Sequence, residues 1–315
     1  MLNIILNILT SGLPCCLLAV GIFLTYRLLD FADLTAEGSF LLGAALSAVL
    51  INLGVNPFLA TLAALGVGAL CGIITGVLNR LLKIPKLLSG IITLTASASI
   101  VLVIFGLGTS RPFFSQVSID LSKPGVETIF SIFNSTLKAP WKRIVESGIM
   151  VAIVAIVIAI VYYFFGTEYG MAIRATGINE KMARAQGINT NISTITCIAI
   201  SNGLIGLGGA LYAQDSLGVG TLSGAGYLVI GLASILIGET IFGKRSFKNH
   251  LLSVTLGAIV YFIIITLAVL LGLPTELKSL LYAILIAIAL VLPLIREKIQ
   301  QAIDSFKKRK GKEIC

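Results

Sequence analysis

Charge is what this sequence has least of. Only 12% of its 315 residues are Asp, Glu, Lys or Arg, about half the share found in an ordinary soluble domain. Metal and redox chemistry are equally thinly supplied. There is one histidine, His250, and the five cysteines (Cys15, Cys16, Cys71, Cys197 and Cys315) form no CxxC or Cys/His spacing, which argues against zinc and against a disulfide framework. No GxxxxGK[ST] occurs, so any ATP hydrolysis must come from another chain. No HExxH, Ser/His or paired-Asp arrangement appears in the apolar stretches, which argues against a membrane-embedded enzyme.

What is present is hydrophobic length. Residues 1–26, 38–79, 87–110, 147–167, 185–214, 216–238, 249–275 and 279–295 contain no charged side chain. A bilayer crossing needs roughly 20 apolar helical residues, and the 38–79 window is long enough for two, with Asn52–Pro57 as the turn. Continuous Leu/Ile/Val/Ala runs are the signature of helices, not of the short alternating strands of a barrel. The expectation is an all-α polytopic membrane protein with about nine helices, in a range of eight to ten. The spans fall near 3–27, 36–53, 57–80, 86–107, 145–166, 193–213, 224–243, 249–272 and 277–295. Residues 1–26 lack a basic leader and a small-x-small cleavage site and read as an uncleaved first helix. The whole of 1–315 reads as one transmembrane domain, with an external loop at 108–143, an internal loop at 167–192 and a basic tail at 296–315.

The net charge of +9 is a topology signal and does not indicate nucleic acid. Alternating spans bring Arg27; Arg80, Lys83 and Lys86; Arg174, Lys181 and Arg184; Lys244, Arg245 and Lys248; and the seven basic residues of the tail to one face, 17 of the 23 in the chain. The positive-inside rule makes that face cytoplasmic. The C-terminus is then expected inside, and the tail is placed to lie on anionic lipid. An odd span count puts the N-terminus outside.

Four groups of residues bear on function. The internal loop, TEYGMAIRATGINEKMARAQGINTNIS, sets small residues around Arg174 and predicts a short helix near Asn179–Ala185 ended by Gly187 as a C-cap. Glu180, Lys181 and Arg184 keep it out of hydrocarbon, so it is either a solvated loop or a docking element. Asp30, Asp33 and Glu37 stand beside Arg27 at the start of the second span. They either cap that helix and favour its dipole or border a solute path at a broken helix. The set Gly68-xxx-Gly72-xxx-Gly76 and the run Gly203–Gly209 predict close helix packing. Glycine near Asn202 and Gln214 could also free backbone groups to line a wet path. Glu239 is expected to pair structurally with Lys244 or Arg245 and not to relay protons, since no second intramembrane acid or His accompanies it.

The pattern G-M-A-I-R-A-T-G-x-N-x-x-x-A-x-x-x-G-I resembles the cytoplasmic coupling segment of bacterial ABC importer permeases of the branched-chain amino acid and ribose type. FADLTAEGSFLLGAAL, ISNGLIGLGGAL and GLASILIGETIFG extend the likeness over nearly the whole chain. The resemblance implies an ABC importer permease fold in the bacterial inner membrane, and that Gly170, Arg174, Ala175, Gly177, Ala183 and Gly187 belong to a segment docking on an ATP-binding cassette subunit. It implies a translocation path near Asp33, Glu37, Gly38, Asn202 and Gln214. A periplasmic or lipid-anchored binding protein and a second permease copy, in a homodimer, are the further partners it implies. No cofactor is expected on this chain; ATP and Mg would sit on the partner. L-x-F-A-D-L-T-x-E-G-S looks most like the permeases for aromatic amino acids such as tryptophan or tyrosine. The competing class is a secondary transporter driven by an ion gradient, which usually buries charged groups at mid-membrane.

Overall fold

The protein, seen in a computed structural model, is described over residues 2–109, 118–122, 126–134, 141–220 and 226–270. Helix α1 (Leu2–Phe23) continues into a π-helical turn at Leu24–Leu28. After a short break come α2 (Thr35–Asn52), α3 (Pro57–Arg80) and α4 (Lys86–Thr109). The connection after α4 holds strand β1 (Ser118–Asp120) and the short helix α5 (Ile129–Asn134), and α6 (Trp141–Gly166) follows. Two short helices, α7 (Glu168–Ile178) and α8 (Glu180–Ala185), precede α9 (Thr190–Asp215). Strand β2 (Gly218–Gly220), α10 (Tyr227–Phe242) and α11 (Phe247–Leu270) complete the described chain.

Among the described residues seven helices are long and apolar enough to cross a membrane, and α10 is a shorter apolar helix. Eight expected spans thus coincide with helices; the ninth, at 277–295, and the tail at 296–315 lie outside the described residues. One expectation needs correcting. The seventh span is only 16 residues long, about 24 Å at 1.5 Å per residue, short of the ~30 Å hydrocarbon core. Gly231 abuts Ile22 in the last turn of α1 and Glu239 meets Arg27 in the π-helical turn beyond it, so α10 runs beside the end of α1 to the basic end.

Helix α9 occupies the centre, against α1, α2 and α3, and α3 with α9 is the most extensive helix pair. Glycine makes this possible. A side chain at Gly68, Gly72 or Gly76 would meet the α9 backbone at Asn202, Ile198 and Ile195 respectively, so the spacing seen in the sequence is a seam of α3 on α9. Gly206 faces Ala64 and Gly68, while Gly43 of α2 faces Gly206. Such approach brings backbones into van der Waals contact, the main attraction available to helices in lipid. By contrast α4 and α6 turn most of their length outward, with Leu107, Ile156 and Ile160 more than half exposed. These are the surfaces that suit hydrocarbon.

The connection between α4 and α6 has more structure than its composition suggests. β1 pairs antiparallel with β2, Ser118 opposite Gly220 and Asp120 opposite Gly218. The Ile129 backbone N–H at the start of α5 donates to Gln214 Oε1 at 3.0 Å, tying the loop to the C-terminal end of α9.

Candidate functional site

At the basic end of the bundle the loop 167–192 is two capped helices in place of the single one expected. The Thr167 hydroxyl accepts from the Gly170 N–H at the start of α7. Asn179 breaks the run in an extended conformation, and its Oδ1 accepts from the Met182 N–H, opening α8. Gly187, at φ +83°, then closes α8: its N–H donates to Arg184 O at 3.0 Å and the Ile188 N–H to Ala183 O at 3.1 Å. This paired closure requires a left-handed residue, which glycine supplies at least cost. Asn189 caps α9.

The small residues of the motif are the inward ones. A side chain at Gly170 would run into the backbone of Phe164 and Phe165, and one at Gly177 into the Leu28 carbonyl. Ala183 is buried. Glu180 accepts from Arg80 Nη1 and Arg184 Nη2, each at 2.7 Å, and Arg184 Nε donates to the Thr190 hydroxyl at 2.8 Å, so α8 is tied to the ends of α3 and α9. Desolvation pushes the Glu180 carboxyl up, but Arg80, Arg184 and Thr190 together hold it below its ordinary value. The stabilisation is therefore present above the ordinary carboxylate range and is lost as pH falls through the lowered value.

The outward face is apolar. Ile178 is 87% and Met182 62% exposed, and they border a cavity of about 280 Å³ shared with Ala175, Asn179, Ala183 and Gln186. Large apolar side chains on a polar loop mark a surface that another protein can cover. Arg174 does not line this groove. Its guanidinium lies 4.7 Å from the Phe247 ring centroid, on the side of α7 facing α11. The expected Glu239 pairing is also corrected: Glu239 binds Arg27 Nη2 at 2.5 Å and His250 Nε2 at 2.7 Å, because the α10 terminus packs on α1 and α11 instead of folding back on its own loop.

The residues expected along a path fall in two places. Near the basic end, Asp33 Oδ1 accepts from the Thr35 N–H (2.9 Å) and its Oδ2 from Asn202 Nδ2 (2.7 Å), while Ser39 donates to Asn202 Oδ1 (2.7 Å). Gly38 sits beneath Ser97. Asp33 therefore starts α2 and joins it to α9 at once. Beside it the Thr35, Thr75 and Thr93 hydroxyls form a chain through α2, α3 and α4, with spacings of 2.7 and 2.8 Å. Toward the other end Gln214, also buried, donates to the Thr61 and Ser47 hydroxyls. Glu37 is half-buried and accepts from the Gly226 N–H just before α10. Next to it, Phe40 stacks on Tyr227 at 4.1 Å, and both lie within 5.7 Å of Tyr212. Sequence reasoning missed this aromatic nest and the threonine chain, whose members are far apart in the chain; Phe40, three residues after Glu37 on one helix face, was the only local signal.

Asp33→Ala is expected to remove the acceptor of the Thr35 N–H and of one Asn202 amide hydrogen, at about 1–3 kcal/mol each, while Asn202 keeps its bonds to Ile198 O and Ser39. A thermal melt in detergent checks this: the melting temperature should fall well below that of wild type, and Asp33→Asn should recover part of the loss.

The class so described is a polytopic helical membrane bundle with a capped, apolar-faced helix pair at its basic end. The chain belongs to the family of branched-chain amino acid transport system permease components, whose model matches residues 4–290. It is 34% identical over 278 residues to a tyrosine transport system permease protein of Clostridioides difficile (strain R20291), covering 87% of this chain and 86% of the relative. It is 26% identical to the galactofuranose transporter permease protein YtfT of Escherichia coli (strain K12), covering 87% and 74%. The ribose import permease protein RbsC of the same organism is 23% identical, covering 82% and 75%. The protein is thus an ABC-type permease.

Proposed function

We propose that this chain is the translocation subunit of an ATP-driven importer in the bacterial inner membrane, working as a homodimer on a small amino acid with an aromatic side chain. The observation that carries the reading is the α7–α8 pair, fastened to α6 by Gly170, to the π-helical turn by Gly177 and to α3 and α9 by Glu180, while exposing Ile178 and Met182. The basic end is then cytoplasmic, the C-terminal tail lies inside, and the exposed groove receives an ATP-binding cassette subunit that holds ATP and Mg²⁺. A periplasmic or lipid-anchored binding protein delivers solute to the opposite face. Closure of the ATP-bound partners pushes α7–α8, and the push reaches α2 and α9 through Leu28, α3 and the Asp33–Asn202 bond. Only a difference in partner contacts between the two states can drive such a shift.

The tyrosine permease relative supports an aromatic substrate. The Phe40–Tyr212–Tyr227 nest beside Glu37 supports it from the chain itself, since rings stack on rings and a carboxylate pairs with an amine. Uptake into proteoliposomes containing this chain, the ATP-binding subunit and the binding protein tests the reading. Tyrosine should accumulate only with ATP, and ribose should not. Ribose uptake would overturn the substrate class, and tyrosine uptake driven by an ion gradient without ATP would overturn the importer.

A further inference from the structure

A second cavity, of about 650 Å³, lies on the other side of α7 from the docking groove. Its walls are the end of α6, with Tyr162 and Tyr163, one face of α7, with Arg174, and the start of α11, with Ser246, Phe247 and Lys248. Among the described residues no acidic side chain lines it. Among the described residues neither Arg174 nor Lys248 has a carboxylate partner. The Arg174 guanidinium lies over the Phe247 ring, and Phe247 in turn stacks against Tyr162 at 6.5 Å and packs on Phe165 at 5.7 Å. A half-buried guanidinium placed by a ring and left without an anion is an arrangement that accepts phosphate.

Depth identifies which phosphate. The cavity sits where two membrane spans end, α6 at Gly166 and α11 at Phe247, and Lys244 and Arg245 are exposed in the adjoining turn. Below it on α6, Ile156 and Ile160 are about 60% exposed, and Tyr163 at the rim is 79% exposed. A cationic hollow at headgroup level, framed by tyrosines and opening above an apolar helix face, fits a lipid whose phosphate enters while its chains run down the helix. We propose that this cavity binds the headgroup of an anionic glycerophospholipid, with Arg174 and Lys248 on the phosphate and Tyr162 and Tyr163 beside the glycerol. This site is independent of the importer reading.

The test is native mass spectrometry of the detergent-purified chain, loaded with phosphatidylglycerol or with phosphatidylcholine. Wild type should retain phosphatidylglycerol at least fivefold more than phosphatidylcholine, and Arg174→Gln with Lys248→Gln should erase that preference. Arg174→Lys, which keeps the charge, should preserve most of it. Because Arg174 also positions Phe247, the exposed single change Lys248→Glu decides the matter if the double variant unfolds: it should reduce phosphatidylglycerol retention severalfold. Equal retention of the two lipids by wild type, or unchanged preference in Lys248→Glu, overturns the site. Full displacement of phosphatidylglycerol by millimolar inorganic phosphate would show a free-anion site and overturn the lipid assignment.

Discussion

Replacing Gly206 with valine is expected to leave almost no folded protein to purify. Its Cα lies where α2, α3 and α9 meet, so a Cβ there would stand 2.6 Å from the Ala64 carbonyl oxygen and 3.2 Å from Gly68 Cα. Both obstacles are backbone and cannot rotate away, so relief requires α9 to separate from α3 along the most extensive helix pair of the molecule. Overpacking a core costs about 1–3 kcal/mol when side chains can adjust, and here they cannot. Against a total stability on the order of 5–15 kcal/mol, the loss should appear as a collapsed monodisperse peak in size-exclusion chromatography. Gly66→Val supplies the contrast, since a Cβ at Gly66 meets nothing within 4 Å; it should purify like wild type.

The second large effect concerns activity and not folding. Ile178→Asp combined with Met182→Asp should abolish ATP-driven uptake while the melting temperature stays near that of wild type. Both residues are largely exposed in the isolated chain, so little internal packing is lost when they change. If a partner covers them, each becomes an apolar anchor of the kind worth about 2 kcal/mol or more, and burying a carboxylate in its place adds a desolvation penalty. The two changes together should weaken partner binding by more than a hundredfold. Arg174→Glu reports on something else: it breaks the stack on Phe247 and should loosen α7 from α11.

How much of this was readable in advance follows the range of the interaction. Helix boundaries came within a few residues of the expected spans because hydropathy and charge act along the chain, and Asn179, Gly187 and Asn189 mark the α8 region by local backbone chemistry. The Gly68–Gly72–Gly76 seam was legible as a packing stripe, though not its partner α9. The motif residues were legible too, but not their directions. Gly170, Gly177 and Ala183 face inward, while the apolar groove belongs to Ile178 and Met182, which composition does not distinguish from membrane-buried residues. Arg174 was expected at the docking surface and lies on Phe247, 73 positions along the chain. Glu239 found Arg27, 212 positions away, instead of its neighbours. Asp33 and Asn202, each singled out separately, turn out to be bonded to each other.

The central claim is that α7–α8 docks an ATP-binding subunit, and capture of that subunit tests it most directly. The chain would be co-expressed with a candidate ATP-binding cassette subunit, purified by a tag on the membrane subunit, and assayed for ATPase. The account predicts a stable complex with an ATPase rate that responds to the binding protein, and a crosslink to the partner from a cysteine placed at Met182. A well-folded chain that captures no ATPase, yet moves solute down an ion gradient in liposomes, would contradict it.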